Sequence, residues 1–95
     1  MALTHQLVTL NASTPVLLTI APSSEIEYAE SLTISIQNLH ASRFIFIGSS
    51  SVSTSSYGFR IDPGQTFTAV LNPEDEIYGV TDTSTANAGV IRIQH

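Results

Sequence analysis

Cysteine is absent, so disulfides, thiolate zinc sites and cysteine nucleophiles are excluded together, and the redox compartment stays open. Lysine is absent too, and Arg43, Arg60 and Arg92 are the three cations of a chain with net charge −5. That balance excludes the basic surface from which affinity for duplex DNA or RNA is built, and a polybasic membrane anchor with it. Charged side chains of either sign make up 12% of the 95 residues, against roughly 25% in an ordinary soluble domain. No apolar run approaches the length of about 20 that spans a bilayer. The opening MALTHQLVTL has no basic region and is interrupted by Thr4, His5 and Gln6, so it reads as a poor signal peptide.

What is present is hydroxyl and β-branched carbon. Ser and Thr are about a quarter of the chain, and the hydrophobic fraction is 42%, enough to bury a core and too much for a disordered tail. At 95 residues there is room for one domain, residues 1–95, with residues 1–22 as an N-terminal arm or the first strands. No window holds a helical period. Leu3 to Leu10 has an irregular pattern, and the short run PVLLTI is bracketed by Pro15 and Pro22. Residues 23–29 read as a connection with solvated Glu25, Glu27 and Glu30. SLTISIQNL alternates cleanly, with Leu32, Ile34 and Ile36 on the buried face and Thr33, Ser35 and Gln37 on the wet one. RFIFI is apolar on both faces and predicts a strand covered on both sides. Residues 49–57 read as an exposed serine-rich loop. Asp62-Pro63-Gly64-Gln65 has Pro and Gly in type II turn order, which requires positive φ at Gly64. Phe67, Ala69 and Leu71 form an inward face, Asn72-Pro73-Glu74-Asp75 suits a type I turn, and Gly79 marks a bulge or a close contact in IYGV. Asp82 to Gly89 reads as a polar loop before the closing strand VIRIQ. Seven or eight short strands with regular turn signals predict an all-β chain, a single antiparallel β-sandwich of jelly-roll-like or Ig-like type.

No chemistry rises above this background. His5, His40 and His95 lie far apart and point to no metal or cofactor. Glu74-Asp75-Glu76 lacks the alternation of a calcium loop, and Glu25 and Glu27 resemble a glycosidase pair only in being carboxylates. No G-x-S-x-G or phosphate-loop pattern occurs, and Asn11-Ala12-Ser13 is a chance glycosylation sequon. A small hydrolase would have no identifiable machinery, so the chain reads as a non-enzyme.

From Leu32 to Ile93, about two thirds of the chain, the order of features is SIQN, FIFIGSSSVSTSSYGFRIDPGQTF, EIYGV, a polar loop and VIRI. The positions are Gln37-Asn38, Ile47-Gly48, Val52-Ser53-Thr54, Gly58-Phe59, Pro63-Gly64, Ile77-Tyr78-Gly79-Val80 and Val90-Ile91. This resembles small all-β virion accessory proteins of tailed bacteriophages, of capsid-decorating or head-fibre type. The resemblance implies a non-enzymatic structural protein on the capsid surface, decorating or stabilising the shell. Its partners would be copies of itself, as a homotrimer, and the major capsid protein. The alternative is a tail, fibre or baseplate module that recognises a host glycan through residues 49–57 and 82–89. The expected interface residues are Arg43, Phe44, Phe46, Arg60 and Arg92, since Arg makes bidentate contacts to carboxylates. The second face of RFIFI is expected to be covered by a neighbouring subunit or shell protein rather than by residues 2–10.

Overall fold

The computed structural model describes residues 2–19, 31–72 and 75–94. The connection read over residues 23–29, Pro22, the carboxylates Glu25, Glu27, Glu30 and Glu74, the Pro73 turn position and His95 lie outside them. The strands are β1 (Ala2–Asn11), β2 (Val16–Leu17), β3 (Leu32–Asn38), β4 (Ile45–Gly48), β5 (Phe59–Ile61), β6 (Thr66–Leu71), β7 (Tyr78–Thr81) and β8 (Thr85–Gln94).

They form two four-stranded sheets, ordered β1-β8-β3-β6 and β2-β7-β4-β5. Each strand of the first half pairs antiparallel with its counterpart in the second half, β1 with β8, β2 with β7, β3 with β6 and β4 with β5. A long antiparallel ribbon rolled into two sheets in this way is a jelly roll, so the β-sandwich takes the first of the two expected types. The roll also explains why β1 is a full strand: all ten residues pair in register with β8.

Alternation sets the core. Leu32, Ile34, Ile36 and Asn38 of β3 are buried, as are Ala86, Ala88, Val90 and Arg92 of β8. Ile45, Ile47 and Ile61 face them from the second sheet in one cluster with Val8, Leu10 and Leu18. Phe67, Ala69 and Leu71 of β6 pack at its margin, and Phe59 stacks on Phe67 at 5.0 Å to close that side of the sandwich. Gly79 is the expected close contact: a Cβ there would lie 2.8 Å from Leu18 Cδ1 and 3.2 Å from Leu10 Cδ1.

Residues 82–89 depart from the expected polar loop. Only Asp82 to Ser84 turn, and β8 starts at Thr85. The inward residues Ala86 and Ala88 are too small to give a hydrophobic signal, but they are what fits opposite Leu10 and Val8. Buried Thr81 ties the turn down, its hydroxyl donating to the Thr83 and Ser84 carbonyls at 3.1 and 3.0 Å.

The turn after β5 is as expected. Gly64 has φ 76, and Gln65 N–H donates to the Asp62 carbonyl at 2.9 Å. Nothing lies within 4 Å of a Cβ built at Gly64, so substitution there costs backbone strain alone. Gly64→Ala is expected to cost about 1 kcal/mol and Gly64→Val about 1–3 kcal/mol. Thermal melts check this: a Gly64→Val midpoint equal to the parent's contradicts it.

Candidate interaction surface

The first sheet has an outer face built from alternate residues. Leu3, His5, Leu7 and Thr9 supply it from β1. Gly89, Ile91 and Ile93 are their partners on β8, Thr33, Ser35 and Gln37 follow on β3, and Thr66, Thr68 and Val70 on β6. None of these is charged, and across all four strands the one ionised side chain, Arg92, points inward. Large apolar groups stand in solvent instead: Leu3 is 62% exposed, Leu7 60%, Ile91 45% and Val70 69%. A groove of about 410 Å³ crosses the face, lined by His5, Leu7, Ser35, Gln37, Gly89 and Ile91 among others. At Gly89 the place of a side chain is approached by Leu39, whose Cδ1 would lie 3.5 Å from a Cβ built there.

The distribution is inverted relative to an ordinary sheet. β8 buries Arg92 at 5% exposure and leaves Ile91 out. A one-residue slip would reverse both. The register is fixed by Val8, Leu10, Ala86 and Ala88, which have to enter the core together. Burial lowers the pKa of the Arg92 guanidinium, because desolvation penalises its charge. Arg92, expected at an interface, is thus turned inward in the single chain, its side chain buried.

The other expected residues gather at the second sheet. Phe46 and Arg60 are directly opposite on β4 and β5. The Arg60 guanidinium lies 4.8 Å from the centre of the Phe44 ring, and its Nε donates to Asp62 Oδ1 at 2.8 Å. Arg43 reaches the β7–β8 turn, where Nη1 donates to the Thr83 carbonyl at 2.7 Å and to the Thr83 hydroxyl. Phe46 is not an open contact. It is 8% exposed, in a satellite cluster with Val52 and Val80, and Tyr57 stacks on it at 4.6 Å.

The Phe46 face of RFIFI is therefore covered by the chain's own serine-rich loop, while Val8 and Leu10 of β1 share the core with Ile45 and Ile47 on its other face. The loop folds back because Gly48 lets Val52 approach: a Cβ on Gly48 would lie 3.3 Å from Val52 Cγ2. The serines then bond one another. Val52 N–H donates to the Ser49 carbonyl at 3.0 Å, Ser53 N–H to the Ser56 carbonyl at 2.8 Å, and Ser56 N–H to the Ser53 hydroxyl at 3.1 Å. Val52→Ser is expected to cost about 1–3 kcal/mol by burying an unpaired hydroxyl. Hydrogen exchange checks it: amides of residues 49–57 should lose protection before those of β3, and loss at both together contradicts the loop's independence.

Chemistry is sparse. Among the described residues no three His, Asp or Glu side chains converge to hold a metal. His40 Nδ1 accepts from Ser42 N–H at 3.0 Å and Arg43 N–H at 3.1 Å, which occupies it in the β3–β4 connection. Asn11 Oδ1 accepts from Ser13 and Thr14 N–H at 3.0 and 2.7 Å, closing the turn out of β1.

No protein-family model matches the chain, and no curated protein matches it. Among solved structures, it is similar to a chain from Bacillus endospore appendages, described as disulfide-linked pili, with 13% identity and a TM-score of 0.46. The likeness covers 97% of this chain and 88% of that one.

Proposed function

We propose that the chain is a non-enzymatic structural subunit of a tailed-phage particle, decorating or stabilising the capsid by packing against copies of itself and the major capsid protein. The observation that carries the packing is the outer face of the β1-β8-β3-β6 sheet, uncharged yet lined with exposed Leu3, Leu7, Ile91 and Val70. A soluble monomer keeps charge on such a face, and apolar groups clustered in solvent mark an interaction surface. The phage setting comes from the sequence resemblance. The jelly roll does not supply it, since that fold serves shell proteins and lectins alike.

Antibody labelling of purified particles tests the placement. Signal over the head supports decoration, and signal at the tail tip supports the glycan-binding alternative. Particles lacking the chain, or heads that survive heating equally well without it, count against the proposal.

A further inference from the structure

We infer that the edge of β1 away from β8, which no described strand occupies, pairs antiparallel with β1 of a second copy, joining two four-stranded sheets into one. The inference deepens the assembly reading and rests on it. It begins with which backbone groups the edge leaves open. Leu39 N–H donates to the Asn87 carbonyl at 3.1 Å, so Asn87 points its backbone toward β3. Backbone direction alternates along a strand. Gly89, Ile91 and Ile93 therefore also bond β3, while Ala88, Val90 and Arg92 bond Val8, Gln6 and Thr4 of β1. On the far side of β3, Asn38 N–H donates to the Gln65 carbonyl at 3.0 Å, which fixes the same alternation independently. The N–H and C=O groups of Leu3, His5, Leu7 and Thr9 consequently face that edge.

These are the same residues whose side chains stand on the outer face. Two copies of β1 crossing at His5 place each Leu3 opposite Leu7 of the second copy. Both sheets then keep their outer faces on one side, and the exposed leucines form cross-strand apolar pairs. Charge selects a second copy as the occupant. At net −5 two chains repel wherever their acids meet, but β1 carries no charged residue, no proline and no glycine. Edge strands are ordinarily guarded by lysine, proline or a bulge, and this one has none of them along ten residues. The other edge of the sheet, β6, is shorter at six residues and presents Thr66, Thr68 and one apolar group, Val70, in place of two leucines. An isologous pair of this kind closes as a dimer.

The test uses purified protein, away from any particle. Sedimentation should give a dimer at high micromolar concentration. As the dimer forms, amide exchange at Leu3, His5, Leu7 and Thr9 should slow by about tenfold or more, while Thr4, Gln6 and Val8 stay protected throughout. His5→Pro removes a donor that faces the edge and no bond to β8, so it should yield folded monomer. Leu7→Lys should do the same by placing an edge guard. A wild-type monomer at that concentration, a trimer or an open polymer series overturns the inference. So does a His5→Pro protein that dimerises as before with its fold intact. Failure here with labelled heads intact leaves the capsid reading standing, and the converse leaves the dimer standing.

Discussion

Asn38→Asp is expected to be the most damaging of the single substitutions proposed here. Asn38 is fully buried and joins the two sheets. Its Nδ2 donates to the Arg43 carbonyl at 2.7 Å and to the Ile61 carbonyl at 2.9 Å, and its Oδ1 accepts from His40 N–H at 2.9 Å. Its backbone meanwhile bonds Gln65 and Gly64, so one residue fixes the end of β3, the approach to β4, the end of β5 and the Gly64 turn. Aspartate keeps the shape and removes both donors. A carboxylate oxygen would then face two carbonyl oxygens in a buried site, at a cost of about 3–5 kcal/mol. That is a large part of the roughly 5–15 kcal/mol that holds such a domain folded.

The pH dependence has a definite sign. Burial beside two carbonyls raises the folded-state pKa of the introduced carboxyl above its unfolded value of about 3.9. The penalty is therefore full above the folded pKa and fades as pH falls toward the unfolded one, where the neutral acid can donate to one carbonyl. Urea unfolding at neutral and at mildly acidic pH measures it. The gap between variant and parent should narrow on acidification, and a gap that widens, or a variant as stable as the parent at neutral pH, removes the role assigned to Asn38.

Ile34→Ala is expected to cost about 2–5 kcal/mol. Ile34 is fully buried at the middle of β3, with Arg92 on one neighbouring strand and Ala69 on the other. Ala69 is too small to move into the space. A well-ordered sheet on either side cannot collapse to fill the hole, which places the cost in the upper half of that range. Thr33→Ala, one residue away on the outer face, should cost less than Ile34→Ala for the isolated chain, because it opens no cavity in the core. Denaturant midpoints of the pair test the face assignment directly, and a larger loss at Thr33 would reverse it.

β3 shows how far the sequence reaches. Its alternation names the buried face because the outer residues Thr33, Ser35 and Gln37 are polar, so period 2 has one solution. The Asp62–Gln65 turn is legible for a similar reason: Pro63 fixes φ and only Gly64 accepts the positive φ that follows. β8 shows where legibility stops. AGVIRIQ offers two faces, one with Ile91 and Ile93 and one with Val90 and Arg92, and hydrophobicity favours burying the first. The structure buries the second, because Ala86 and Ala88 further along the same strand have to meet Val8 and Leu10. Asn38 was likewise visible only as the end of a strand: its bond from His40 N–H is a local Asx-type contact, but its donors reach the Arg43 and Ile61 carbonyls, and the second of these lies on a strand distant in sequence.

The sequence by itself determined an all-β domain, the inward faces of β3 and β6, the Gly64 turn, and a surface almost without cations. Each follows from local physics, from alternation, φ preference or composition. Tertiary structure alone decided the pairing of β1 with β8, the burial of Arg92, the folding of the serine loop over Phe46, and the uncharged face on which Leu3, Leu7 and Ile91 stand together. Those depend on the register between strands distant in sequence, which the shared core sets and which no single segment can specify.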